Sequence, residues 1–94
     1  MIFRIDMDGE TRVLVSHMPP SRKQKIKEAL RAVADDPAQG KPLQEDLAGL
    51  YSFRVGSLRI IYSVDAAHRV AHVVAIGPRR TVYEELEREL KSRK

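Results

Sequence analysis

The stretch Tyr-Ser-Phe-Arg-Val-Gly-Ser-Leu-Arg-Ile-Ile-Tyr-Ser-Val, residues 51–64, restricts the fold more tightly than any other part of the chain. Tyr51, Phe53 and Val55 alternate onto one face of a first strand, and Leu58, Ile60, Tyr62 and Val64 onto one face of a second. Gly56-Ser57 between them has the length of a two-residue hairpin loop, and glycine in its first central position suits a type II′ turn. Such a loop sets the register: Val55 opposes Leu58, Phe53 opposes Ile60, Tyr51 opposes Tyr62, and on the other face Arg54 opposes Arg59. Directly opposed like charges repel by up to about 1 kcal/mol when nothing screens them. An anion, either a carboxylate or a phosphate, is their natural partner; two solvated arginines on an open sheet face are the competing reading.

The chain leading to this hairpin reads as strand, helix, helix and loop. Residues 2–7, Ile-Phe-Arg-Ile-Asp-Met, suit a first strand closed by Asp8-Gly9. Residues 10–18 fit a short helix on the spacing of Val13, Leu14, His17 and Met18, although the β-branched Thr11, Val13 and Val15 would also suit a strand. Pro19-Pro20 ends that element, and Pro20 suits the first position of the next helix, where its missing N–H would be unpaired anyway. That helix is predicted over 21–34, with Ile26, Ala29, Leu30 and Val33 as its buried stripe and Arg22, Lys23, Lys25, Lys27 and Arg31 on its wetter sides. Residues 38–49 contain Gly40, Pro42 and Gly49 and read as a loop with a turn of helix around 42–46.

Beyond the hairpin, Asp65-Ala66-Ala67-His68 is a second short connection into a β-rich run over 69–76. Pairing Val64 with Arg69 would set Ile61 against His72 and Arg59 against Val74, which puts His72 on the arginine face one step along. Gly77-Pro78 closes that strand. A last helix is predicted over 81–92, with Thr81 as N-cap, Glu84 completing a capping box, and Lys91, Arg93 and Lys94 late. Val82, Leu86 and Leu90 give it a narrow apolar stripe.

Ninety-four residues make one domain, spanning 1–94, with room for a single modest core. The apolar fraction of 43% and charged fraction of 32% place it among ordinary globular chains rather than disordered ones. No apolar run reaches the length of a membrane span and the first residues are too quickly charged for a signal peptide, so the expectation is a cytoplasmic protein with no membrane partner. The absence of cysteine removes disulfides, thiolate catalysis and cysteine-based zinc sites. No spacing suggests a metal site, and no cofactor is expected. Seventeen Lys and Arg against 13 Asp and Glu, a net charge of +4, favour a polyanionic partner without specifying one.

Several pieces together, Leu47-Ala48-Gly49, the motif at 51–64, Ile76-Gly77-Pro78-Arg79-Arg80 and Val82-Tyr83, resemble the RelE/ParE superfamily of bacterial toxins. The resemblance covers roughly residues 19–86. It implies an α+β fold: a small antiparallel sheet of about four strands, an N-terminal helical hairpin against one side, a C-terminal helix, and an active concavity on the other side. RelE-like members are metal-independent endoribonucleases that cut messenger RNA in the ribosomal A site, by attack of a ribose 2′-hydroxyl on the adjacent phosphate. The resemblance also implies a cognate antitoxin as partner, with operator DNA reached only through the antitoxin complex.

Carried onto this sequence, the family's catalytic positions fall on Arg54, Arg59, Arg79 or Arg80, and Tyr83. Guanidinium groups suit a phosphate carrying extra negative charge, because they stay charged and grip two oxygens at once. Lys23, Lys27, Ser52 and His72 join Arg54 as candidate RNA contacts. Two departures weaken the match: Ala48 replaces a position often basic in active members, and Ser52 stands where some carry lysine. Each candidate has a plainer alternative. Arg59 could pair with Glu84 or Glu85, Tyr83 could simply pack its ring, the helix lysines could be a solvated face, and Glu45 and Asp46 are acidic loop residues before they are a general base. A ParE-like inhibitor of DNA gyrase and a non-catalytic RNA- or protein-binding module of the same fold are the alternative functions.

Overall fold

The hairpin forms in the register its loop dictates: Tyr51 faces Tyr62, Phe53 faces Ile60, Arg54 faces Arg59 and Val55 faces Leu58. Gly56 takes φ +60°, and Ser57 is not among the residues of positive φ, the combination a II′ turn requires. The computed structural model describes residues 2–92, with the side chains of Arg79, Leu90 and Ser92 outside the described set. Within it the strands are β1 (Arg4–Met7), β2 (Lys41–Pro42), β3 (Leu50–Val55), β4 (Leu58–Asp65) and β5 (Val70–Pro78). The helices are α1 (Gly9–Ser16), α2 (Pro20–Asp35) and α3 (Arg79–Ser92), with 3-10 turns at Pro37–Gln39 and Glu45–Leu47. The sheet order is β1-β5-β4-β3-β2, antiparallel throughout except that β1 runs parallel to β5.

The two sheet faces carry separate cores. Ile60 and Tyr62, both 0% exposed, meet Ile26, Ala29 and Val33 of α2 together with Ala71, Val73 and Ile76 of β5. Ile61, the residue between them, points the other way and packs with Leu47, Val82 and Leu86 beneath α3. Pro20 opens α2 as its first residue. The helix ends where Asp36 is driven to extended backbone (φ −151°) by the proline that follows, and Asp36 then caps the next turn by accepting from the Ala38 N–H at 3.1 Å.

Four expectations are corrected. The 38–49 loop contributes a fifth strand, Lys41–Pro42, too short to show any alternation. The β4–β5 register lies two residues from the expected one, with Asp65 opposite Val70 and Ser63 opposite His72. Asp65 accepts from the His68 N–H at 3.1 Å and Arg69 adopts φ +55°, so the connection runs one residue later than its composition suggests. Further along, Tyr62 faces Val73 while Ile61 faces Ala75, so Val74 is an extra residue forming a bulge and Arg59 ends up opposite Gly77.

The third correction is that α3 starts at Arg79, which leaves Thr81 inside its first turn rather than at the cap; β5 runs straight into the helix through Pro78. Val82 and Leu86 still form its buried stripe, while the Leu90 side chain, Arg93 and Lys94 lie outside the described residues. The fourth concerns α1, whose inner face is Thr11, Val15 and Met18 at i, i+4 and i+7. Val13 and Leu14 remain 56% and 47% exposed.

A buried hydroxyl joins the loop before β2 to the central strand. The Tyr62 O–H donates to the Pro37 carbonyl at 2.6 Å and accepts from the Gly40 N–H at 3.1 Å, while its ring stacks on Tyr51 at 5.6 Å between centroids. Burial pushes the Tyr62 phenol above its ordinary pKa, partly offset by the Gly40 N–H. A Cβ on Gly40 would fall against this hydroxyl and within 2.9 Å of Cζ. Gly40→Ala is therefore expected to lose about 1–3 kcal/mol to overpacking, and Tyr62→Phe a similar roughly 1–3 kcal/mol by stranding a buried carbonyl and N–H. Gly49→Ala, where φ is +96° but nothing lies within 4 Å, should cost only about 1–2 kcal/mol of left-handed backbone strain. Urea unfolding of the three variants checks the order.

Two surface carboxylates make stability depend on acid. A hydrogen bond from His72 Nδ1 (2.9 Å) holds Asp6 below the usual carboxylate pKa, and the His68 N–H followed by the His68 ring does the same for Asp65. A carboxyl lowered by folding contributes stability that is complete above its unfolded value and lost as pH falls through the folded one. The gap in thermal stability between wild type and the Asp6→Asn/Asp65→Asn variant is expected to be widest near neutrality and to close below about pH 3. Melting curves from pH 7 to pH 2.5 measure it.

Candidate functional site

Arg54 and Arg59 leave the sheet on the face opposite α2, because each alternates with residues committed to the α2 core. The Arg54 Nε–H donates to the Gly56 carbonyl at 3.3 Å, folding its side chain back over the turn. Arg59 is half-buried and, among the described residues, makes no ion pair, so neutralisation by Glu84 or Glu85 is not realised. Two guanidinium groups in direct register with no carboxylate between them hold an uncompensated repulsion that an arriving anion would relieve.

The end of β5 brings in the next arginines. Gly77 faces Arg59 and Pro78 faces Leu58, so the first turn of α3 begins one strand spacing, about 5 Å, from the hairpin. That turn contains Arg79 and Arg80; Arg80 is exposed, and the backbone alone places Arg79. The free N–H groups of a helix start add partial positive charge to the same corner.

Tyr83, one turn into α3, is half-buried against the second core, and its hydroxyl donates to Ser52 Oγ at 2.9 Å. Ser52 is 3% exposed and precedes Arg54 by one same-face position, about 7 Å along β3. Ser52 thus meets the tyrosine rather than an open groove. Lys41, which the sequence pattern left in a loop, stands opposite Ser52 and so shares this face at the sheet edge. The sequence signal was a lone cation between Gly40 and Pro42, with no period to place it.

Other candidates are held apart. Lys23 and Lys27 belong to α2, on the far side of the sheet. His72 shares the arginine face through its partner Ser63, but Ser63 is four residues from Arg59, about 13 Å along β4. His72 is moreover engaged with Asp6. Ala48 and Glu45 are exposed around the 3-10 turn before β3, and Glu45 takes φ +56°. No group of three His, Asp or Glu side chains among the described residues is arranged to hold a metal ion. No helix among them is long and apolar enough to cross a membrane.

The arrangement can bind phosphate oxygens from several directions and hold a phenolic O–H nearby. It defines a small α+β protein that presents a cationic sheet face beside a C-terminal helix. The family described as ParE toxin of type II toxin–antitoxin system, parDE, matches residues 10–83, and the chain belongs to it, within the RelE/ParE superfamily of toxins. Toxin RelE of Mycobacterium tuberculosis is 41% identical over 44 residues, which are 47% of this chain and 45% of that protein. Toxin RelG of the same organism is 36% identical over 44 residues, 47% and 51% of the two chains. The matched stretch thus spans about half the length of these curated relatives. The toxin–antitoxin complex RelBE2 of M. tuberculosis is similar in structure, with a TM-score of 0.75 and 25% identity over 83% of this chain and 99% of the matched one. A mutant of Escherichia coli toxin RelE in the free state shares the fold, with a TM-score of 0.77 and 19% identity over 99% and 98% of the two chains.

The Tyr83–Ser52 hydrogen bond is the one polar link described between α3 and β3. Ser52→Ala and Tyr83→Phe should each destabilise the chain, and the double variant should lose less than their sum, with a coupling of about 1 kcal/mol. A double-mutant cycle in urea measures it.

Proposed function

We propose that this toxin is a ribosome-dependent endoribonuclease that cleaves messenger RNA without a metal ion and so inhibits translation. The observation that carries this reading is Arg59, which makes no ion pair among the described residues and is set across from Arg54 and beside the arginine-bearing start of α3. In the reaction the ribose 2′-oxygen attacks the adjacent phosphorus, the bond from phosphorus to the 5′-oxygen breaks, and a cyclic phosphate and a free 5′-hydroxyl result. The 2′-hydroxyl proton leaves to a base and the 5′-oxygen gains one. Arg59 and Arg54 would neutralise the charge growing on the phosphoryl oxygens, with Arg79 or Arg80 closing the third side. Tyr83 would give its proton to the departing oxygen by exchanging Ser52 for substrate. Ala48 and Ser52 leave the site short of the extra cations of other members, so its anion binding is better provided for than its proton transfer.

The partner in this reading is a cognate antitoxin, as in the RelBE2 complex, with operator DNA met only through that complex and the toxin acting in the cytoplasm. One domain over residues 1–94 would carry the whole activity. A gyrase-directed reading is favoured by the description of the matching family, which names ParE. The two separate cleanly. Purified toxin added to translating ribosomes should cut the bound message, and Arg59→Ala should slow cutting roughly 100-fold while leaving the fold intact. Loss of supercoiling by DNA gyrase with the message uncut would replace the ribonuclease reading by the gyrase one. Neither effect would leave a binding module.

A further inference from the structure

β5 is longer than the strand beside it. It runs from Val70 to Pro78, whereas β1 pairs with it only as far as Val73, where the Val74 bulge begins and the chain turns off into α1. Past that point no strand among the described residues runs along the outer edge of β5, and α1 and α3 rise on either side to leave a cleft of about 550 Å³. Its apolar surface is Val74, Ala75 and Ile76 with Leu14 and Leu86 at the walls, Leu14 being one of the large exposed apolar side chains. Four carboxylates, Asp8, Glu10, Glu85 and Glu89, line it against one cation, Arg88, in a chain whose net charge is +4. Asp8 is already occupied in capping α1, but Glu10 and Glu85 make no hydrogen bond or ion pair among the described residues. Thr11 also lines the cleft and is only 6% exposed.

We propose that this cleft is a docking site for a cationic, extended peptide segment of a partner protein, with basic and apolar residues on both of its faces. An unpaired strand edge offers main-chain N–H and C=O groups to a new strand of about four residues. The alternation of a strand then sends one set of side chains toward the α1 wall, with Leu14 and Glu10, and the other toward the α3 wall, with Leu86 and Glu85, so that each wall offers an apolar and an acidic group. The wall charge repels nucleic acid, so the site is separate in chemistry from the arginine face, and it does not depend on whether the target is RNA or gyrase.

The test uses the full chain labelled with nitrogen-15 and a capped peptide, acetyl-Lys-Lys-Val-Val-Lys-Lys-amide, which presents lysine and valine on both faces of a strand, with its Glu-for-Lys counterpart as control. Saturable amide shifts over 10–14, 74–77 and 85–89, together with slowed hydrogen exchange between 74 and 77, are expected for the lysine peptide alone. Glu10→Gln and Glu85→Gln, both at exposed positions, should each weaken binding roughly fivefold without changing the melting temperature. Equal binding of the acidic peptide, shifts confined to another surface, unchanged affinity in the Gln variants, or binding without protection of the 74–77 amides would each overturn the proposal. So would concentration-dependent self-association through the same amides in the absence of peptide, which would make a second copy the occupant.

Discussion

The Tyr62 hydroxyl is the polar point around which the sheet is assembled. It sits in the middle of the central strand, fully enclosed, where an unpaired phenol would cost on the order of 1–3 kcal/mol. Both of its bonds go to the segment between α2 and β2, donating to Pro37 and accepting from Gly40. The path of that segment, and therefore the position of β2, follows from satisfying one buried oxygen, and Gly40 is required there by space rather than by an unusual φ. With β2 in place, Lys41 stands next to Ser52, and the floor of the cationic face is complete.

What was legible in the sequence was whatever a short-range rule decides. The β3–β4 register follows from a two-residue loop with glycine at its first central position, and the opposition of Arg54 and Arg59 is a consequence of counting. The length of α2 follows from a proline at its start and another just beyond its end. The β4–β5 register was not legible, because it depends on an Asp65 side chain closing a turn and on an extra residue at Val74 that no local pattern announces. Ile60 and Ile61 carry no mark of which faces α2 and which faces α3; pairing partners decide that.

The same distinction governs the site. Arg54 and Arg59 could be placed because they lie on strands whose other face is plainly apolar, and the Arg79-Arg80 pair, with neither preferred, because it follows the last strand directly. Lys41 could not, since a two-residue strand has no period. The lysines of α2 failed for a different reason. Periodicity says which side of a helix is wet but not which side of the sheet the helix occupies, and Lys23 and Lys27 are wet on the wrong side. His72 was placed on the arginine face but too near Arg59, because a register displaced by two residues carries a side chain about 7 Å along the strand while preserving its side.

Helix α3 divides the molecule electrostatically. Its first turn carries Arg79 and Arg80 beside Arg59, and its next turns carry Glu85 and Glu89 toward α1. A single helix, pinned by Val82 and Leu86 into one core and by Tyr83 to Ser52, therefore separates an anion-attracting corner from a cation-attracting cleft. A polyanion at the arginine corner gains little from the cleft, and a basic segment in the cleft is repelled from the corner, so the two surfaces select different ligands. Coupling between them needs no long pathway. Tyr83 lies one turn from the start of α3, so a shift of the helix on the sheet alters both the Tyr83–Ser52 bond and the spacing of the helix start from Arg59.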